Sequence, residues 1–277
     1  MTAPQLFSVD VEEYFQVLAF EQAVPRSTWD TLPSRVEESV DRLLDLLARH
    51  SATGTFFTVG WLAERKPGLV RRIAAQGHEI ACHSWWHRRV TTLTPEEFRR
   101  DVRRCRELLQ EVTGRPVSGF RAPSFSIVPG LEWAFDVLIE EGYRYDSSVF
   151  PIRRPGYGYP GAPTVPYEIR RPAGVLLELP MATAVIGGIR LPAAGGGYLR
   201  HLPYALTERA ARQNGARGTS GMFYVHPWEI DEGQPRLPVS RLTRLRHYGG
   251  IARTLPRLER LLSRFPFVSV ERRYGFA

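Results

Sequence analysis

The 277-residue sequence has few cysteines and no long hydrophobic run. Its two cysteines, Cys82 and Cys105, are too few for a disulfide scaffold, and each lies in an apolar pattern where a reduced thiol packs like a small hydrophobic side chain. No apolar run is long enough to span a bilayer, and the segment MTAPQLFSVDVEEYF lacks the basic and apolar regions of a secretory leader. These absences argue against a disulfide-rich secreted domain and against a membrane span, and they favour a cytoplasmic protein.

Basic residues exceed acidic ones by a modest margin. There are 37 Lys and Arg against 29 Asp and Glu, which gives a net charge of +8. The basic residues are mostly arginines scattered over predicted helix faces, with no zinc-finger spacing and no compact basic arm, so we expect no nucleic-acid partner. The positive net charge leaves open an acidic polymer as the substrate. The sequence does not fix the assembly state, and a homo-oligomer is compatible with it.

Short apolar runs alternate with amphipathic helical patterns, which indicates an α/β fold with a largely parallel sheet. A capping box at Ser34 and Glu37 predicts the start of one helix, and a second one at Thr94 and Glu97 predicts the start of another. The predicted strands are LFSV, TGTFFTVG, HEIACH, VSGFRAPSF, YRYDSSVF, VLLELPMA and GMFYVHPWEI.

With 43% hydrophobic and 24% charged residues, the chain is typical of a folded globular protein. We predict one catalytic domain over residues 1–277, with a core at 1–230 and a helical extension at 231–277 that packs on it. Residues 151–175 and 187–200 are rich in Gly, Pro and Tyr without helical period, which predicts long loops that border a site.

Five short segments carry reactive side chains at the predicted carboxyl ends of strands, the edge where barrels of alternating strands and helices collect their reacting groups. These segments are SVDVEEYF with Asp10 and Glu12, CHSWWH with His83 and His87, FRAPSF with Arg121, YDSS with Asp146, and YVHPWE with His226. Their coincidence at one edge is the main functional signal of the sequence.

The residue types suggest a metal-dependent hydrolase. The paired histidines of CHSWWH and one carboxylate form a three-ligand site with an open position, as in catalytic zinc sites. Glu12 or Asp10 completes that set, because residues two apart on a strand face the same way, and the other acid is then free to act as general base. Arg121 would orient the base, and His226, backed by a carboxylate such as Asp146, suits a general acid.

The segments SVDVEEYF, TGTFFTVGWLAERKPGLVRRIAAQGHEIACHSWWH, GFRAPSF and YVHPWE resemble the motifs of the polysaccharide deacetylases, the NodB-homology family or carbohydrate esterase family 4, from about Leu6 to Ile230. The tail after HPWE resembles the C-terminal extension of a subgroup associated with bacterial exopolysaccharide export and exosortase loci. The resemblance implies a distorted (β/α) barrel of parallel strands with outer helices, and metal-dependent removal of N-acetyl groups from an acetylated polysaccharide.

By the same resemblance, Asp10 matches the catalytic base, His83 and His87 the metal ligands, Arg121 the residue that orients the base, and His226 the general acid. The family's common pair of adjacent aspartates is replaced here by Asp10 and Val11, so Glu12 is the expected third ligand. Zinc is the expected ion. Asp146 completes the predicted catalytic set.

Two other functions share these features. A cyclic imide or ureide hydrolase of the allantoinase-like branch would use the same catalytic residues, since members of that branch space their acids as D-x-D, which D-x-E resembles. A glycan-binding relative without activity would retain the fold. Six aromatic residues near the predicted loops hint at a groove that stacks sugar rings: Trp85, Trp86, Tyr157, Tyr159, Tyr198 and Trp228.

Overall fold

The computed structural model describes residues 3–154 and 156–276. Within them the strands are β1 (Gln5–Val11), β2 (Thr55–Thr58), β3 (Glu79–Cys82), β4 (Gly119–Phe120), β5 (Tyr145–Asp146), β6 (Tyr167–Arg171), β7 (Gly174–Glu178), β8 (Thr183–Ile186), β9 (Ile189–Pro192), β10 (Met222–Val225) and β11 (Phe267–Val268). The α-helices are α1 (Val36–Arg49), α2 (Gly60–Arg65), α3 (Pro67–Ala75), α4 (Pro95–Thr113), α5 (Trp133–Glu140), α6 (Gly197–His201), α7 (Tyr204–Ala216), α8 (Arg241–Tyr248), α9 (Thr254–Leu262) and α10 (Val270–Tyr274).

The strands form one main sheet in the order β10-β1-β2-β3-β4-β5-β7-β6, and β11 also pairs with β1. All of these pairs are parallel except the β6–β7 hairpin, which confirms the predicted α/β fold with a mostly parallel sheet. Single bridges from Met181 to Met222 and from Gly195 to Tyr224 connect the chain beyond β7 with β10. The sheet therefore curves back on itself through isolated bridges rather than through a continuous ladder.

Burial explains why the strands read as apolar runs in the sequence. Every residue of β1, β2, β3 and β10 is buried, as expected for parallel strands covered on both faces. Helix α1 turns a stripe that includes Val40, Leu43 and Leu47 to the core. The carboxyl ends of β1, β3, β4 and β10 thus meet at one edge of a rigid sheet.

The Thr94–Glu97 capping box is confirmed, because Thr94 Oγ1 accepts a hydrogen bond from Glu97 N at 3.2 Å and Glu97 Oε2 accepts one from Thr94 N at 2.9 Å. The box predicted at Ser34 is wrong. Ser34 donates instead to Glu13, whose Oε2 also accepts from the backbone N–H of Arg35 at 3.0 Å. A distant carboxylate therefore stabilises the start of α1, a contact that no local pattern reveals.

The loops predicted at 151–175 and 187–200 contain more regular structure than expected. Strand β6 and the first residues of β7 lie in the first segment, and β9 and α6 lie in the second. Several strands are in turn shorter than predicted: VSGFRAPSF contributes only Gly119–Phe120 to the sheet, and YRYDSSVF only Tyr145–Asp146. Pairing with neighbours, rather than residue preference, sets these lengths.

The C-terminal residues contribute to the main sheet. After α8 and α9, Phe267 and Val268 pair with Gln5 and Leu6 of β1. This contact places residues beyond 230 against the first strand, while the division of the domain at residue 230 stays a prediction. No helix in residues 3–154 and 156–276 has the length and apolar character that a membrane crossing requires.

Buried His78 predicts a pH-dependent loss of stability that is independent of the site. Its Nδ1 accepts a hydrogen bond from Gly54 N at 3.1 Å, and burial lowers its pKa to about 4. An unfolded histidine titrates near its ordinary pKa of about 6.5, so the unfolded chain binds a proton that the folded chain does not as pH falls from 6.5 towards 4. His78 therefore contributes stability above pH ~6.5 that is lost progressively over this interval.

Urea unfolding of the wild type and His78→Asn at about pH 7 and about pH 5 checks this, because Asn retains an acceptor for Gly54 N. We expect the free energy of unfolding of the wild type to fall by about 1–2 kcal/mol more than that of the variant. Equal losses in both proteins would show that His78 is not the group responsible.

Candidate active site and metal centre

Three side chains converge where β1 and β3 end. Glu12 follows the last residue of β1 and His83 follows the last residue of β3, while His87 lies in the turn beyond, with φ of 53°. One ligand atom from each of the three lies within 4.8 Å of the others. The structure thus brings together the three residues predicted as metal ligands.

The hydrogen bonds around these residues prepare them for a cation. His83 Nδ1 lies 2.8 Å from the carbonyl oxygen of Arg121, so with Nδ1–H donating, Nε2 carries the free lone pair. Glu12 Oε1 accepts from Trp228 Nε1 at 2.9 Å. Glu12 Oε2 is buried and receives no hydrogen bond within the described residues, although His87 Nε2 lies 2.6 Å away. A carboxylate oxygen and imidazole nitrogens so placed fit a divalent metal ion.

The charge states of the ligands also suit a metal. Burial opposes ionisation of Glu12, but the attraction of His87 and His226 outweighs it and lowers the pKa of Glu12. Burial lowers the pKa of His83 to about 4, so its imidazole is neutral near pH 7. An ionised carboxylate and a neutral imidazole are the forms that bind metals.

Asp10 lies beside this cluster and is held by a buried arginine. Arg121 Nη1 donates to Asp10 Oδ1 at 2.5 Å and to Ser8 Oγ at 2.9 Å, and the side chain of Arg121 is fully buried. Arg121 Nε and Nη2 donate to the carbonyl and hydroxyl oxygens of Ser147, each at 3.1 Å. These four hydrogen bonds fix both the guanidinium and the carboxylate that it contacts.

His226 follows the end of β10 and faces the same cluster. Its Nε2 lies 3.8 Å from Asp10 Oδ2 and 3.8 Å from Glu12 Oε1. Its Nδ1 contacts Glu229 Oε2 at 2.9 Å, and Glu229 Oε1 accepts from Arg200 Nε at 2.8 Å. Burial alone would lower the pKa of His226, but the carboxylates of Glu229 and Glu12 outweigh it and raise the pKa to about 9.

Glu229, rather than Asp146, is the carboxylate in contact with His226, which corrects the sequence-based pairing. Asp146 is fully buried and accepts from Ser148 Oγ at 2.6 Å and Ser148 N at 3.1 Å. Ser148 Oγ in turn accepts from Ala122 N at 2.8 Å. Burial raises the pKa of Asp146. Asp146 therefore fixes the segment of Ser147 and Ser148, which contacts Arg121 and Ala122. Its link to Asp10 is indirect and runs through Arg121.

Glu229 and Arg200 contribute to the site but were not predicted from the sequence, and neither was the hydrogen bond from Trp228 to Glu12. Trp228 and Glu229 follow His226 in the quoted HPWE segment, and a short helical turn at Pro227–Ile230 brings Glu229 back to the histidine. The spacing of three residues between His226 and Glu229 could have predicted this contact. Arg200 lies in a segment predicted as an irregular loop, and nothing local indicated its contact with Glu229.

A cleft of about 450 Å³ opens over the cluster. Asp10, Glu12, His83, His87 and His226 all line it, together with an aromatic wall of Phe125, Tyr157, Tyr224 and Trp228. The volume lies within the usual range of about 300–1,000 Å³ for small-molecule sites. Of the six aromatic residues proposed from the sequence, Tyr157 and Trp228 line this cleft.

The buried ion pair at His226 predicts a large loss of stability on substitution. Glu229 and Arg200 are almost completely buried, so Glu229→Gln leaves the guanidinium without a charged partner. We expect a decrease of about 3–5 kcal/mol in the free energy of unfolding, measured with urea. Glu168→Gln, which breaks an exposed pair with Arg170, is the matched control and should cost less than about 1 kcal/mol. Similar losses in both variants would contradict this reading.

Comparison with known families gives two matches. Residues 21–131 match the polysaccharide deacetylases, and residues 147–274 match a family described as Domain of unknown function (DUF3473). The first match includes His83 and His87, and the second includes Arg200, His226 and Glu229. The site therefore draws on both matched regions and on β1, which precedes them.

Two curated relatives are named as deacetylases. A peptidoglycan-N-acetylglucosamine deacetylase of Bacillus cereus is 31% identical over 127 residues, which is 45% of this chain and 46% of that protein. A chitooligosaccharide deacetylase of Sinorhizobium fredii is 38% identical over 131 residues, 44% of this chain and 57% of that protein. The chain thus spans about half the length of these two relatives.

Solved structures share the fold over nearly the whole chain. A Mycobacterium smegmatis protein assigned as a polysaccharide deacetylase has a TM-score of 0.61 at 22% identity, over 96% of this chain and 86% of that one. Puue allantoinase also has a TM-score of 0.61, at 17% identity, over 95% and 85% of the two chains. At these identities the likeness establishes the fold alone.

Proposed function

We propose that the chain is a metal-dependent hydrolase that removes N-acetyl groups from an aminosugar-containing polysaccharide and releases acetate, in keeping with the match of residues 21–131 to the polysaccharide deacetylases. The observation that carries this proposal is the convergence of Glu12, His83 and His87 on one wall of a cleft. Asp10 and His226 line the same cleft. A ligand set, an acid and a base around one opening are the parts that amide hydrolysis requires.

Zinc is the ion that we propose for the ligand set. Two imidazoles and one carboxylate with an open position are typical of catalytic zinc sites. A bound zinc ion would supply Lewis-acid polarisation of the substrate carbonyl and would lower the pKa of a water molecule to about 7.

Asp10 is the proposed general base that accepts the proton of the attacking water. Arg121, through its 2.5 Å contact with Asp10 Oδ1, holds this carboxylate in place at the cleft. The other oxygen, Oδ2, is not involved in that contact and lies on the side of His226. One carboxylate oxygen is therefore anchored while the second is available for proton transfer.

His226 is the proposed general acid that gives its proton to the sugar nitrogen as the carbon–nitrogen bond breaks. Glu229 accepts the Nδ1–H of the ring, which leaves Nε2–H to face Asp10 and Glu12. Stacking of the ring on Trp228, with centroids 4.9 Å apart and planes 19° apart, further fixes its orientation. Proton transfer from a positioned histidine typically contributes about 10²–10⁴-fold to a rate.

Acetate release from a panel of N-acetylated oligosaccharides by the zinc-loaded protein tests this proposal. We expect acetate and a free amine in equal amounts from at least one aminosugar oligosaccharide and no ring opening of allantoin. Turnover of allantoin without acetate release from any glycan would favour a cyclic ureide hydrolase instead. Binding of glycans without turnover of any substrate would favour a non-catalytic relative.

A further inference from the structure

A second cleft, of about 560 Å³, adjoins the cleft that contains the proposed metal site. Tyr157, Tyr224 and Arg246 line both clefts, so the two form one continuous depression. The combined groove has room for more than the sugar whose acetyl group is removed, since each part alone has the volume of a typical ligand site.

The second cleft is basic. Arg154, His201 and Arg246 line it, and none of its lining residues is acidic. Most arginines near the site are already engaged: Arg200 is paired with Glu229, and Arg257 donates to the carbonyl oxygen of Leu202 at 2.9 Å.

Arg154 and Arg246 are different from those arginines. Both are exposed, and neither guanidinium has a carboxylate within 4.0 Å among residues 3–154 and 156–276, since the polar side-chain neighbour of Arg154 is the hydroxyl group of Tyr198. Both groups are therefore free to bind an anion from solution, and a guanidinium is well suited to bind a carboxylate or a sulfate through two parallel hydrogen bonds.

Aromatic side chains form the rest of the second cleft. Tyr157 and Tyr198 are half-buried, and their hydroxyl groups contact each other. The guanidinium carbon of Arg154 lies 5.6 Å from the centroid of the Tyr198 ring. An amphipathic aromatic face next to a cation suits a sugar ring that carries a negative charge, because the ring packs on the tyrosine while the charge reaches the guanidinium.

These features come from the region matched to the family of unknown function. Arg154, Tyr157, Tyr198 and Arg246 all lie within residues 147–274 and outside the deacetylase match at 21–131. Arg154 and Tyr157 line the cleft together with residues of helix α6 and helix α8. The C-terminal region therefore contributes a surface that the deacetylase match alone does not have.

We propose that the second cleft is a subsite for an anionic substituent, of carboxylate or sulfate chemistry, on a sugar next to the N-acetylated residue. The polymer acted on is then acidic rather than neutral. This assignment rests on the proposed function for the position of the N-acetylated sugar, but binding of the anionic sugar is independent of turnover. The net charge of +8 is consistent with an acidic substrate.

The test measures binding by calorimetry to zinc-loaded Asp10→Asn, so that no turnover intervenes. The first probe alternates N-acetylglucosamine with glucuronate, and its control is the same oligosaccharide with each uronate reduced to glucose. The second probe carries sulfate on an otherwise neutral N-acetylglucosamine chain, and its control is the desulfated chain. Preference in the first pair identifies a carboxylate, and preference in the second identifies a sulfate.

We expect the anionic member of one pair to bind roughly tenfold more tightly than its neutral control, and this preference to vanish when Arg154→Gln and Arg246→Gln are combined. Arg153→Gln and Arg244→Gln, exposed neighbours outside both clefts, should leave the preference unchanged. Equal binding of charged and neutral members in both pairs, or a preference that survives the double substitution, overturns the subsite. Charge-dependent binding without acetate release by the wild type would overturn the proposed function and leave the subsite in place.

Discussion

Replacing His83 by alanine is expected to abolish both metal binding and turnover. His83 is one of three side chains whose ligand atoms lie within 4.8 Å of one another, and two ligands alone bind a divalent ion weakly. Because the ion is expected to supply several kcal/mol of transition-state stabilisation, we expect a loss of roughly 1,000-fold or more in kcat. Metal content of the purified protein, measured by plasma mass spectrometry, and acetate release check the two losses separately.

His50→Ala is a suitable control, because His50 directly follows α1 and does not line the cleft of the site. It should retain both metal and activity. His83 is buried, so the melting temperature of His83→Ala has to show that the variant is folded, and His87→Gln at the less buried ligand provides a second test. Full metal content in folded His83→Ala or in folded His87→Gln would refute the ligand set.

Asp10→Asn is expected to separate metal binding from turnover. Asparagine retains an oxygen that can accept the hydrogen bond from Arg121, but it cannot take a proton from water. We therefore expect metal content close to that of the wild type and a decrease of about 10²–10⁴-fold in kcat, with little change in KM. Steady-state acetate release together with metal analysis measures all three quantities.

Ser8→Ala is the matched control for this substitution. It removes another acceptor of Arg121, at 2.9 Å, without changing the proposed base. Its kcat should fall much less than that of Asp10→Asn. If Asp10→Asn lost metal to the same extent as His83→Ala, Asp10 would be a ligand rather than the base, and the division of roles between Asp10 and Glu12 would be reversed.

The strands that carry the site were predictable because burial on both faces leaves a simple pattern. Strands β1, β2, β3 and β10 are fully buried and largely apolar, and the polar residues at or just after their carboxyl ends stand out: Asp10 and Glu12, His83, and His226. Parallel pairing then brings these ends to one edge of the sheet. Local pattern and simple topology together indicated these residues, and the resemblance to the deacetylase motifs divided the roles of ligand and base between Glu12 and Asp10.

Contacts between distant segments were not predictable. Glu13 stabilises the start of α1 in place of Ser34, and Arg200 reaches Glu229 from a segment that looked irregular. Asp146 was proposed as the carboxylate behind His226 because it lies at the end of a strand, but its hydrogen bonds are with Ser148. Such contacts depend on how side chains from distant segments are directed in the folded protein. The local sequence pattern around each residue contains no information about this.

The most direct test of the central claim is a zinc-edge anomalous diffraction map of crystals grown with zinc. The ligand geometry predicts one strong peak at about 2.0–2.2 Å from a carboxylate oxygen of Glu12 and from one imidazole nitrogen each of His83 and His87. Absence of a peak between these three side chains, or a peak bound by other residues, would contradict the proposed metal centre.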